Sequence, residues 1–167
     1  QEWTKPLQDP QCLSSQEDFA LGDGLIDLPL NRWIGVMEKQ GKDFLVSISL
    51  NEDNQCPEKI HSPNDFVGNA SLSPSGNKLA WIEWEYPYMP WDASQLWLAS
   101  VTRNGQLKDK YCLSSRLHID SKNVSFFQPL WLSNNELIFS QDSSGWWNLT
   151  LSSNQTESII FTTLLLI

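Results

Sequence analysis

The chain is poor in positive charge, with 11 lysines and arginines against 20 aspartates and glutamates and a formal net charge of −9. The basic residues stand singly. This excludes the clustered Lys and Arg that a phosphate backbone requires, so nucleic acid is not expected as a partner. Histidine is scarcer still, with His61 and His118 alone. The three cysteines, Cys12, Cys56 and Cys112, show no CxxC spacing, so no zinc site is legible and neither a metal nor a cofactor is expected. Three cysteines without a disulfide framework read as reduced thiols in a cytoplasmic protein. The glycosylation-type triplets at Asn69, Asn123, Asn148 and Asn154 are what an Asn- and Ser-rich chain produces by chance. No apolar run reaches the roughly 18 residues of a membrane span, since the longest ends the chain at 159–167 and is far shorter. No membrane is expected as a partner. Helical periodicity is absent, and so is the GxSxG elbow of a serine hydrolase: Gly68-Asn69-Ala70-Ser71-Leu72 lacks the second glycine and the following helix.

What the chain does contain is repetition. Residues 73–101, SPSGNKLAWIEWEYPYMPWDASQLWLASV, and 126–151, FFQPLWLSNNELIFSQDSSGWWNLTL, follow one plan: strand, Ser/Pro/Gly/Asn turn, strand, longer connection, aromatic-led strand. Cys12-Leu13-Ser14-Ser15 recurs as Cys112-Leu113-Ser114-Ser115, with a weaker copy at Lys59-Ile60-His61-Ser62. Each is followed by a polar loop and then by Phe19, Phe126 or Phe66, and the units end on FLVSISL from Phe44, LWLASV from Leu96 and WNLTLS from Trp147. A spacing of about 45 to 60 residues suits four short strands and their turns, the content of one propeller blade. The expected fold is therefore all-β: about three four-stranded antiparallel blades of a larger propeller. The boundaries read as the end of a preceding blade at 1–18, blades at 19–65 and 66–124, a partial blade at 125–155, and a truncated or atypical apolar tail at 156–167. Nine tryptophans fit this plan as core and inter-blade packing.

In residues 79–85 one strand face carries Leu79, Trp81, Glu83 and Glu85 and the other Ala80, Ile82 and Trp84, as a sheet covered on both sides requires. The connection that follows, Tyr86-Pro87-Tyr88-Met89-Pro90-Trp91-Asp92, cannot continue a ladder because proline lacks the donor N–H. It reads as an ordered loop held by its aromatics. Loops on a rigid scaffold are where substrate contacts sit, so Glu85, Tyr86, Tyr88, Trp91 and Asp92 are the candidate contact residues, and no catalytic residue is assigned.

The words SPSGNKLAWIEWEYPYMPWDASQLWLASV, SFFQPLW and SGWWNL, with Gly22-Asp23-Gly24-Leu25-Ile26-Asp27 through Val36, strongly resemble the N-terminal propeller of the prolyl oligopeptidase family of serine peptidases. The nearest branch is that of acylaminoacyl peptidases and dipeptidyl aminopeptidases. The likeness covers roughly residues 10 to 152, with Met89–Asp92 and Gly145–Leu149 its most specific words, and it fades beyond Ser152. It implies a ring of seven or eight blades that gates short peptides into a C-terminal α/β-hydrolase domain of the same parent chain. This chain is then a non-catalytic piece of such an enzyme.

Two other classes compete with it. A propeller glycosidase is suggested by Ser140-Gln141-Asp142-Ser143-Ser144-Gly145-Trp146-Trp147, close to an Asp-box with its Gly one place late. Glu83 and Glu85 would stand about 6 to 7 Å apart along one strand face, within reach of the inverting range. An interaction scaffold of the TolB or WD-repeat type is the third class, since fold alone decides no function. Against the WD-repeat version, Trp91-Asp92 falls in a loop rather than at a strand end.

Overall fold

A computed structural model describes residues 12–14, 18–51, 53–117, 124–153 and the strand at 156–161. Three antiparallel sheets of four strands follow one another along the chain. Sheet one comprises β1 (Ala20–Asp27), β2 (Arg32–Lys39), β3 (Lys42–Ser49) and β4 (Glu58–His61). Sheet two comprises β5 (Phe66–Leu72), β6 (Lys78–Trp84), β7 (Gln95–Val101) and β8 (Leu107–Cys112), and a single helical turn, α1 (Leu113–Arg116), follows it. Sheet three comprises β9 (Phe126–Ser133), β10 (Glu136–Gln141), β11 (Asn148–Ser153) and β12 (Thr156–Phe161). In every sheet the strands lie side by side in chain order. The polar turns supply the reversals: Asn31 holds φ at 46° in the first, and Gly76 holds 71° in the second, a left-handed conformation that glycine adopts without steric cost.

One expectation is corrected. Thr156–Phe161, expected to belong to an atypical tail beyond a partial blade, is the fourth strand of sheet three, with Ile160 opposite Leu151. An outermost strand needs only the main-chain N–H and C=O groups of its neighbour, so a run without the repeat's words completes the sheet. Within the second CLSS word, Cys112 closes β8 and Leu113–Arg116 turns helically. The expected end of a preceding blade at 1–18 lies mostly outside the described residues; within it, Ser14 forms a parallel bridge with Gln55.

The sheets stack face to face, and β5 touches both β1 and β9, so the first strand of each sheet lies innermost. Strand alternation sends successive side chains to opposite faces, and both faces of sheet two are apolar. Leu79, Trp81, Val67 and Ala99 meet Ile34, Leu45 and Ile60 of sheet one. Ala80, Ile82, Leu96 and Leu98 meet Phe126, Trp131, Leu137 and Phe139 of sheet three. The two seams are register-equivalent, because Ile34, Ala80 and Ile138 each stand third in the second strand of their sheet. Trp33 lies across the backbone of β1, where a Cβ on Gly24 would come within 2.0 Å of its ring. That close approach is what the glycine in Gly22-Asp23-Gly24 permits.

Candidate functional site

The connections that join second to third strands and those that join one sheet to the next emerge at the same end of the stack. There lies a cavity of about 230 Å³ lined by Asn64, Glu83, Trp84, Glu85, Tyr88, Ala93, Ser94 and Gln95. Of the candidate residues, Glu85 and Tyr88 line this cavity, whereas Tyr86, Trp91 and Asp92 do not.

Hydrogen bonds hold the loop, and its rings do not, contrary to the sequence expectation. The Tyr86 N–H donates to Asp65 Oδ2 at 2.9 Å and the Tyr88 N–H to the Glu85 carbonyl at 2.9 Å. The Met89 N–H donates to Asp92 Oδ2 at 3.1 Å, and the Asp92 and Ala93 N–H groups return to the Met89 carbonyl. Asp92 therefore closes its own turn. The rings are left to solvent: Tyr86 is 82% exposed and Trp91 60%. Trp146 and Trp147, exposed on the 142–147 loop, stand on the neighbouring sheet's equivalent connection.

Glu83 and Glu85 are not the pair that a glycosidase requires. β6 ends at Trp84, so Glu85 lies beyond the strand, and its Oε1 accepts from Asn64 Nδ2 at 2.6 Å. Glu83 is buried, and its Oε1 is bound to His61 Nε2 and to Trp81 Nε1, each at 2.6 Å. Lys110 Nζ reaches His61 Nδ1 at 3.2 Å. A lysine that donates to Nδ1 places the imidazole proton on Nε2, directed at Glu83. This three-residue chain fastens β4 of sheet one to β6 and β8 of sheet two. The Asp-box-like loop is likewise structural, since Asp142 Oδ1 accepts the Ser125 N–H at 2.7 Å. Asn64 and Gln95 were not singled out in the sequence, and His61 was noted there only as one of two histidines and as part of a repeat word. Asn64 and His61 come from strand ends and connections whose meeting with residues 83–85 depends on the stacking of two sheets. Among the described residues no group of three or more His, Cys, Asp or Glu is placed to hold a metal, and no helix is long and apolar enough to cross a membrane.

Three four-stranded antiparallel sheets, stacked in chain order with their first strands innermost, are consecutive blades of a β-propeller. Solved structures carry the same arrangement. A puromycin-hydrolyzing peptidase of Mycobacterium tuberculosis superposes with a TM-score of 0.74 at 22% identity, over 89% of this chain and 25% of that one. A puromycin hydrolase superposes at 0.76 with 22% identity over 89% and 24%, and a variant of it in complex with PGG at 0.75 with 23% identity over 91% and 24%. The chain thus spans about a quarter of the length of these structures. At this level of identity the likeness establishes the fold. No protein-family model and no curated protein sequence matches the chain.

Proposed function

We propose that the chain is the substrate-facing part of the propeller of a serine peptidase of the prolyl oligopeptidase family, from its acylaminoacyl peptidase and dipeptidyl aminopeptidase branch. In this reading a C-terminal α/β-hydrolase domain of the same polypeptide cuts short peptides, and the propeller limits what reaches it. The observation that carries the reading is that three consecutive blades match about a quarter of solved peptidases. The two most specific sequence words, Met89–Asp92 and Gly145–Leu149, fall on or beside the connections at one end of those blades. The cavity there combines the Glu83 and Glu85 carboxylates with the rings of Trp84 and Tyr88. Carboxylates beside aromatic faces attract a cation, which suits the charged amino end of a short peptide. The three thiols accord with a cytoplasmic protein.

The reading is tested on the full-length protein with a chromogenic dipeptide amide. Glu85→Gln and Tyr88→Ala are expected to raise KM about tenfold each, equivalent to about 1.4 kcal/mol of binding, with kcat unchanged because the contact is made equally in ground and transition states. Unaltered KM in both variants overturns the contact assignment. A full-length protein without a GxSxG-bearing domain overturns the peptidase reading altogether.

A further inference from the structure

Behind the cavity wall, Lys110, His61 and Glu83 fix one another's protonation. Lys110 Nζ lies 3.2 Å from His61 Nδ1, and an ammonium group can only donate, so Nδ1 accepts and the imidazole is neutral. Its one N–H, on Nε2, is directed at Glu83 Oε1 at 2.6 Å, and the Trp81 indole N–H donates to the same oxygen at 2.6 Å. The side chains of His61 and Glu83 are only 10% and 11% exposed. Glu83 Oε2 makes no hydrogen bond among the described residues, and Glu83 lines the cavity that also holds Trp84, Glu85 and Tyr88. The carboxylate therefore lines the cavity with its charge intact and is backed by a neutral ring.

The other charged groups nearby are engaged elsewhere or do not bond the imidazole. Glu58 and Lys59 share β4 with His61, but Glu58 accepts from Gln106 Nε2 at 2.7 Å and Lys59 Nζ lies 3.4 Å from the centre of the Phe44 ring. Asp43 of β3 accepts from the Val67 backbone, and Glu85 accepts from Asn64. Lys108 and Asp109, the remaining charged residues of β8, make no hydrogen bond to the ring, and the nearest aromatic, Trp81, has its centroid 5.1 Å from that of His61.

We propose that Lys110 and His61 set the charge of the cavity wall, and with it the cavity's preference for a cationic ligand, although neither residue lines the cavity. This rests on the reading of the cavity as the seat of a charged amino end. As the pH falls through the range in which an imidazole takes up a proton, that proton comes from solvent and settles on Nδ1, the atom that Lys110 occupies. Nδ1 then donates rather than accepts, the Lys110 ammonium is repelled into water, and the contact between Nε2 and Glu83 becomes an ion pair. An imidazolium 2.6 Å from the carboxylate offsets the field that a ligand's ammonium group would meet. The cavity thus holds a cation at neutral pH and releases it in acid, and Lys110 keeps the ring in the form that favours binding.

Calorimetric titration of the full-length protein with benzylamine, a cation throughout the range used, and with benzyl alcohol, its uncharged counterpart, tests this. The Kd of benzylamine is expected to rise about fivefold between pH 8 and pH 5.5, as the addition of one nearby charge implies, and that of benzyl alcohol to stay constant. His61→Gln, whose amide can still donate to Glu83, is expected to keep the affinity found at pH 8 and to abolish the pH dependence. Lys110→Met is expected to weaken benzylamine binding about threefold already at pH 7, and Lys110→Arg, which retains a cationic donor, to bind as the unaltered protein does. A pH dependence that survives His61→Gln overturns the proposal, and so does Lys110→Met binding benzylamine like the unaltered protein at every pH. An equal change for benzyl alcohol marks a merely structural role and overturns it too. Where one of these results is found and Glu85→Gln still weakens benzylamine, the cavity keeps its cation and only the role of Lys110 and His61 falls; benzylamine that binds at no pH overturns both.

Discussion

Arg32 shows how one side chain serves two sheets. Its Nε donates to Asp27 Oδ2 at 2.8 Å, its Nη1 donates to the Gly105 carbonyl of sheet two at 2.8 Å, and its Nη2 is buried without a partner. Gly105 has φ of 83°, and a Cβ there would meet Nη1 at 2.4 Å. Removing one member of a buried pair leaves an uncompensated charge at a cost of about 3–5 kcal/mol, so Asp27→Ala is expected to lower the unfolding free energy in urea by that amount. Asp27→Ala combined with Arg32→Met is expected to cost less than the two changes summed, and strict additivity would show that the pair is not coupled. Asp43 is a different case. Burial holds its carboxyl above the ordinary value of 3.8, opposed by a hydrogen bond from the Val67 backbone and reinforced by the Glu38 charge. Above the raised value the folded protein carries a charge that the unfolded chain bears more easily, so Asp43 costs stability at neutral pH. As pH falls toward 3.8 the folded state takes up the proton first and the cost fades. Asp43→Asn should therefore raise the urea midpoint at pH 7, by an amount that shrinks on acidification; a gain independent of pH would count against burial as the cause.

At the scale of the element, the link between sheets two and three is a clip. Ser94 Oγ donates to the Phe126 carbonyl at 3.1 Å and accepts the Phe126 N–H at 2.8 Å, in a buried setting. Ser94→Ala leaves both main-chain groups unsatisfied, at about 1–3 kcal/mol for each, and a lowered melting temperature with faster exchange of the Phe126 amide is the expected result. The second and third strands of each blade were legible in the sequence, because their buried side chains are apolar on both faces and Ser-Pro-Gly or Asn turns punctuate them. The outermost strands were less so: LKDKYC of β8 and EKIH of β4 pack on one side only and keep their charge. The candidate loop was legible through its prolines and aromatics, but its fastening was not. Asn64 to Glu85 and Asp65 to Tyr86 are side-chain bonds across a sheet-to-sheet connection, and no local spacing encodes them. The left-handed positions at Asp23, Asn69 and Gln128, where β1, β5 and β9 slip register, were equally hidden, since Asp, Asn and Gln share no residue type that marks such a position as glycine does.

Across the whole molecule, the 167-residue chain leaves Leu130, Leu132 and Leu149 open on the outer face of sheet three. Exposed apolar faces of this kind associate, so the unaltered chain is expected to sediment as a distribution of oligomers, and Leu130→Thr with Leu132→Thr to shift it toward monomer. A sharp monomeric boundary for the unaltered chain would contradict this. The two covered seams use unlike fastenings. Sheet one reaches sheet two through Arg32 on Gly105 and His61 on Glu83. Sheet two reaches sheet three through Lys78 on the Asn134 carbonyl and Ser94 on Phe126. Each of the two seams thus has side-chain fastenings of its own, set at positions that the other seam fills with different residues. Exchanging blades one and two by gene shuffling would preserve every strand and every turn and still lower the melting temperature, because Arg32, His61, Lys78 and Ser94 would no longer face the groups they bind.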